Sequence, residues 1–261
     1  MNRKVYILQS VQTLRALAVI IVMLLTSATA WADDSGTCGD GVTYTFVEST
    51  HTLTISKTGD GTGAMGDSFP LPWFNYCNDI QTVIIESGVT SIGNQAFMGC
   101  KSLSSITIPA SVTNIGDTPF ILCTGLSSIY VDDANTQFKL SDDGVLFSKD
   151  DKKLILYPAG KTATSYTIPD GVTSIESGAF YGCENLSSVT IPASVTSIGV
   201  AAFGICKSLS SIIIPFNVTS IGNSAFNGCS NLKEVYVLRH YDLNNNINIT
   251  TLVFDVFKDT H

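Results

Sequence analysis

The chain has 261 residues, 44% of them hydrophobic and only 14% charged, with 14 basic against 22 acidic side chains. Ordinary apolar content at low charge density excludes intrinsic disorder, and an excess of acid excludes a phosphate-backbone partner such as nucleic acid. Abundant Ser, Thr and Ile disfavour long helices, because β-branched residues lose rotamer freedom there and hydroxyls compete for the helix backbone.

Residues 1–32 read as a secretory signal peptide. Arg3, Lys4 and Arg15 make a basic start, Ala16 to Leu25 is a ten-residue apolar run, and Ala30-Trp31-Ala32 fits a small-x-small cleavage site. Ten residues are too few for a bilayer core that needs about twenty. Cleavage removes three basic residues and no acidic one, so the exported remainder is more acidic still. The expected destination is the cell surface or the extracellular space, with the periplasm as the nearer stop.

A ruler of 23 residues governs the rest. Cys77, Cys100 and Cys123 are spaced by 23, and so are Cys183, Cys206 and Cys229. Gly160 stands 23 before Cys183, which makes seven coil starts, with a 37-residue third coil. Such self-similarity is the mark of a solenoid. Within the coil at Cys183, Ser188-Val-Thr-Ile191 alternates outward and inward, as a strand with one buried face does. Pro192 ends it, a second extended piece covers Val195 to Ile198, and Gly199 turns the chain. The Ala202-Phe203 pair then sits on a short helical turn leading to the next Cys. Stacked at about 4.8 Å per strand, seven coils give a spine of roughly 30 Å.

The pattern Cys-x-x-Leu-x-x-Ile-x-Ile-Pro-x-x-Val-x-x-Ile-Gly-x-x-Ala-Phe resembles the BspA-like leucine-rich repeat of bacterial surface proteins. It spans about 77–259, with Thr118-Pro119-Phe120 departing from the Ala-Phe step. Residues 33–76, with Cys38-Gly39, Leu53-Thr-Ile55 and Pro72-Trp73, resemble the β-rich amino-terminal cap that those proteins carry. An insert at about 132–159 is similar to theirs, and its residues read as a hairpin joined by Ser148 to Lys153. The resemblance implies an α/β, β-rich, right-handed solenoid over 77–261, with a parallel sheet on one face and short strands and helical turns on the other. It implies adhesion or recognition of host or neighbouring-cell macromolecules, without catalysis.

Of the residues able to carry chemistry, the cysteines come first. Cys77, Cys100, Cys123, Cys183, Cys206 and Cys229 should form an inward column whose parallel Cβ vectors disfavour disulfides. They read as small buried thiols accepting weak hydrogen bonds from turn backbone, with Cys38 left over in the cap and pairing with Cys77 as its alternative. His51, His240 and His261 are not at metal-ligand spacing, and Asp132-Asp133 and Asp142-Asp143 do not make a calcium loop. Gly61-Thr-Gly63-Ala-Met-Gly66 matches a dinucleotide fingerprint by letters, but Pro70 and Pro72 come next, where a helix is required. No cofactor, metal or catalytic set is expected. Repeated serines read as a solvated outward face.

One surface remains for a partner. The residue seven after each coil start points outward from the sheet: Ile84, Thr107, Tyr130, Thr167, Thr190, Ile213 and Tyr236. A rigid column mixing Tyr, Ile and Thr suits contact with a protein, or with a glycan through ring stacking. After Cys229 the pattern loosens through Asn244-Asn-Asn246 and resumes at Ile249 to Leu252, ending without a polar cap. That end is expected to be truncated or covered by a partner or self-association.

Overall fold

The computed structural model describes residues 34–67 and 70–237. The expected signal peptide and the carboxyl end beyond Val237 lie outside the described residues. Four strands open the fold: β1 (Asp34–Asp40), β2 (Val42–Val47), β3 (Thr52–Lys57) and β4 (Ala64–Met65). The first three form an antiparallel meander. Its last strand pairs in parallel with β5 (Thr82–Ile85), and the solenoid begins there.

Two rows of strands climb from β5. A short row holds β6 (Ser91–Ile92) and β8 (Asn114–Ile115). The longer row continues through β7 (Ser105–Ile108) and β9 (Ser128–Val131). An insert comes next, with β10 (Phe138–Leu140), β11 (Leu146–Ser148) and β12 (Lys153–Leu156). Beyond it the long row resumes as β13 (Ser165–Thr167), β15 (Ser188–Thr190), β17 (Ser211–Ile214) and β19 (Glu234–Val237). The short row resumes as β14 (Ser174–Ile175), β16 (Ser197–Ile198) and β18 (Ser220–Ile221). Between paired repeat strands the register is 23 residues: Ser105 faces Ser128, Ile106 faces Ile129, and Ser174 faces Ser197, which faces Ser220.

The period-two pattern puts the apolar set inside. Val83, Ile106, Ile129, Val189 and Ile212 are buried, as are Ile85, Ile108, Ile191 and Ile214 two residues on. Phenylalanines add a column of their own. Phe180 stacks on Phe203 at 4.9 Å between ring centroids and Phe203 on Phe226 at 5.3 Å, with Tyr157 filling the same place at the head of that stack. A second stack runs Trp73, Phe97, Phe120.

The expected helical turns are not there: the described residues contain no α-helix, only short 3-10 turns at Glu48–Thr50 and Pro72–Tyr76. The reason lies in the five residues before each of Cys100, Cys123, Cys183, Cys206 and Cys229. The first and last take left-handed backbone, as in Gln95 and Gly99, Gly178 and Gly182, Ala201 and Ile205. Alternate N–H groups between them leave the coil altogether. Gly178, Phe180 and Gly182 donate to the carbonyls of Val200, Ala202 and Gly204 in the next coil. A segment that gives half its donors to a neighbour cannot close a helical ladder.

The insert is more than a hairpin. Strands β11 and β12 pair antiparallel as expected, with β10 as an unforeseen third strand. The second of them also pairs parallel with β14 and so founds the short row of the second half. Leu146 and Leu156 pack into the core of the first half, while Val145, Phe147, Leu154 and Tyr157 pack into that of the second. Asn135, the one buried polar residue among those described, ties the insert down. Its Nδ2 donates to the carbonyls of Pro109 and Val112, and its Oδ1 accepts from the amides of Gln137 and Phe138. Among the described residues no helix is long and apolar enough to cross a membrane.

Candidate binding surface

Every residue of the expected outward column sits on the sheet as its position in the repeat requires. Ile84, Thr107 and Tyr130 stand in direct register on β5, β7 and β9, all half-buried. Thr167 pairs with Thr190, both exposed. Ile213 pairs with Tyr236, each 51% exposed. The seven do not form one uninterrupted ladder, because no strand pairing joins β9 to β13 or β15 to β17. Tyr236 is further held by its neighbour two residues back: its hydroxyl donates to Glu234 at 2.9 Å, and that bond to a carboxylate is the first cause of its raised pKa. Phe216 and Val237 are also exposed, so open apolar area gathers at the β17–β19 end. Phe216 sits two residues past the strand end, and the outward count from each cysteine passes over it.

The hydroxyl rows are exposed, as the sequence suggests, and they also bond from coil to coil. Ser104, Ser127 and Ser187 each donate to a backbone carbonyl 23 residues earlier, on Gln81, Ser104 and Thr164. Thr196 and Thr219 do the same to Thr173 and Thr196. An exposed hydroxyl one coil above a carbonyl donates to it and keeps its own lone pairs for water. These side chains clamp coils together, which leaves the Tyr and Ile members of the outward column as its better contact groups.

The cysteine column is buried as expected, with two differences. Its thiols donate rather than accept. Cys123, Cys206 and Cys229 give their S–H to the carbonyls of Phe97, Phe180 and Phe203 at 3.0 to 3.1 Å. Cys183 reaches Tyr157 at 3.8 Å. Each of those phenylalanine carbonyls already accepts from the cysteine amide of its own coil, and the second lone pair is open to the next coil's sulfur. The first pair departs further: Cys77 and Cys100 form a disulfide, with Cα atoms 4.1 Å apart, in place of two reduced thiols. Cys77 comes after a 3-10 turn, not the left-handed residue that precedes Cys100, Cys123, Cys183, Cys206 and Cys229, so its side chain meets its neighbour differently. Cys38 is buried and free, not paired with Cys77.

Burial pushes the Cys38 and Cys123 thiols up to about 12, and Cys183 higher. Cys206 is raised first by its contact with the Cys229 sulfur and then by burial. Cys229 is lowered by the same contact. Among the described residues no group of three or more His, Cys, Asp or Glu is placed to hold a metal ion.

Among solved structures, a leucine-rich repeat protein from Eubacterium ventriosum is 27% identical, over 79% of this chain and 73% of its own, with a TM-score of 0.49. The pneumococcal vaccine antigen PcpA is 26% identical, over 61% of this chain and 51% of its own, at 0.49. A leucine rich cell surface protein from Faecalibacterium prausnitzii is 26% identical, over 81% of this chain and 56% of its own, at 0.40. This chain thus spans only about half the length of the second and third. No curated protein matches it. The BspA type leucine rich repeat region matches in six copies, over residues 68–141 and 159–258, and leaves out most of the insert. With more than half its length so matched, and with the 23-residue coils seen directly, the chain belongs to the BspA-type leucine-rich repeat family.

Proposed function

We propose that this chain is a binding module without bond chemistry. It is exported by its 1–32 leader and acts at the cell surface or outside the cell, where it adheres to a protein of host matrix or of a neighbouring bacterial surface. Family membership supports a binding role, and the cell-surface protein among its structural neighbours supports the location. One observation carries the choice of face. The coil register repeats outward side chains at fixed spacing on preformed strands, with Ile213 and Tyr236 half in solvent. Aromatic and aliphatic groups already fixed by a sheet lose little entropy on contact. Ile84, Thr107, Tyr130, Thr167 and Thr190 extend the same surface towards the amino-terminal strands.

A glycan is the second reading, favoured by the exposed Tyr236 ring, a platform on which a sugar could stack. A matrix-protein panel beside a glycan array separates the two. For whichever ligand is found, Tyr130→Ala with Tyr236→Ala should weaken binding at least tenfold while leaving the melting temperature within a few degrees. Unchanged affinity moves the contact off this face.

A further inference from the structure

The two halves of the solenoid are packed together on the turn side and parted on the short-row side. On the turn side Gly178 and Gly182 lie against Thr118 and Thr124, where an added Cβ would stand 3.4 and 3.2 Å from a threonine methyl. The Gly160 amide donates to the Leu126 carbonyl at 2.7 Å beside them. The short row differs. Strand β8 is the last of its sheet, β12 starts the next short row by pairing with β14, and no pairing joins β8 to β12. A cavity of about 450 Å3 lies between the coil at 113–121 and the insert. Glu176 marks it in the sequence. It holds the place of Gly93, Gly116, Gly199 and Gly222, where a Cβ would come within 2.3 or 2.4 Å of the coil before, and its side chain lines the cavity.

The coil wall of the cavity carries a pair of acceptors whose use is visible one coil earlier. There the Ile92 carbonyl accepts from the Gly116 amide at 2.9 Å, and Asn94 Oδ1 accepts from the Asp117 amide at 2.7 Å. The pair grips donors on two consecutive residues, roughly 3 Å apart by backbone dimensions. In the coil at 113–121 the same pair is the Ile115 carbonyl and the Asp117 carboxylate. Both residues line the cavity, and among the described residues no donor from another coil reaches either group.

The insert supplies the facing wall. Lys153 lines it and stands 3.9 Å from Glu176, and Lys149 lines it outside every ion pair among the described residues. Asp150 already accepts from the Ser148 hydroxyl and the Lys152 amide. Both signs of charge thus face one space. A cationic ligand would meet the two ammoniums there, and an anionic ligand the carboxylates of Asp117, Asp150 and Glu176. A hydroxyl donates to the acceptors and accepts from an ammonium while bringing no charge of its own. Ile115, Pro119 and Ile155 add apolar surface for C–H groups.

We propose that this cavity is a second binding site, separate from the outward column, and that it takes a neutral sugar. Two vicinal hydroxyls of a pyranose ring stand where two consecutive amides stand in the coil before, and donate to the Ile115 carbonyl and the Asp117 carboxylate. Lys149 donates from the insert side to a further sugar oxygen. The apolar residues face the C–H groups of the ring. The volume lies within the range of about 300 to 1,000 Å3 of ordinary ligand pockets.

The test titrates the full chain with the methyl pyranosides of glucose, mannose and galactose, which between them present trans and cis vicinal diols. At least one should bind saturably by calorimetry. Its 3-deoxy analogue, in which no vicinal diol is left, should bind more weakly by roughly tenfold or more. Asp117→Ala should cost roughly tenfold or more, whereas Asp117→Asn should cost about threefold or less, because Asn94 fills the same role through Oδ1. Lys149→Met should weaken binding as well. Asp117 and Lys149 are exposed, so these variants should melt within a few degrees of the parent. In the unaltered chain, the amide signals of Gly116 and Gln137 should shift when the sugar is added and that of Tyr236 should not. Tyr130→Ala with Tyr236→Ala should leave the affinity unchanged. Loss of binding in that double variant puts the sugar on the outward face and overturns the proposal. So does the absence of saturable binding for all three sugars up to about 100 mM. Binding indifferent to Asp117→Ala overturns it too, as does tighter binding of spermidine or of methyl glucuronoside than of the neutral sugar.

Discussion

Gly199 lies against Ser177 of the preceding coil so closely that a Cβ on it would stand 2.4 Å from the Ser177 amide nitrogen. Backbone cannot retreat from such a contact as a flexible side-chain end can. Gly199→Ala should therefore destabilise the chain by about 3 kcal/mol, at the upper end of overpacking costs. The equivalent Glu176 lines a cavity between the coil at 113–121 and the insert, where its carboxylate accepts from Ser174 and stands 3.9 Å from Lys153. Glu176→Gly should change stability by no more than about 1 kcal/mol, a melting shift of roughly 2–4 °C for a chain of this size. Paired melting curves check both. Equal losses at the two positions would mean that the chain after β12 lies as close to Glu176 as Ser177 does to Gly199.

Most of the fold is legible in the chain because a solenoid writes its register into sequence spacing. Cys183, Cys206 and Cys229 set the period, and Val189-Thr190-Ile191 the inward and outward faces. Whatever depends on where backbone donors point is not legible. The Ala202-Phe203 step looks helical by composition. Its neighbouring amides are shared with adjacent coils, and nothing in the residue types announces that. The serines at 104, 127 and 187 are exposed as their outward place implies, but their bonds to a carbonyl one coil away are invisible in a linear chain. The cavity between the coil at 113–121 and the insert did leave a trace, in Glu176 where a glycine belongs and in Thr118-Pro119 where the Ala-Phe step changes. Only the broken strand pairing shows that the two mark opposite sides of one opening.

Tyr157 stands in a phenylalanine position, stacked on Phe180 at 5.4 Å, and its hydroxyl is buried without a hydrogen-bond partner. A buried polar group left unpaired carries a desolvation penalty of about 1–3 kcal/mol. Tyr157→Phe keeps the ring, the stack and the volume, and removes only the oxygen. The variant should be more stable than the parent by about 1 kcal/mol, seen as a higher urea midpoint at unchanged slope. A lower midpoint would mean that the hydroxyl is satisfied in solution, for instance by a bound water.

Alkaline pH should unfold this chain sooner than neutral pH does, and the cysteine column is one cause. Burial raises the Cys123 thiol to about 12 from its ordinary value of 9.0. The unfolded chain therefore releases its proton at lower pH than the folded chain does. For a pKa raised on folding, the contribution to stability is whole below the unfolded value and fades as pH climbs towards the folded one. The urea midpoint should stay flat with respect to this group up to about pH 9 and fall between about 9 and 12. Tyr44 and Tyr157, also raised to about 12 with burial as the first cause, add to the same slope from about pH 10 upward. Cys123→Ala is less stable at pH 7, because the sulfur fills a buried place and bonds the Phe97 carbonyl, yet it should lose less between about pH 8 and 10 than the parent does. Parallel slopes for parent and variant over that interval would show that Cys123 ionises as freely in the folded chain as in the unfolded one, and that the column is open to water.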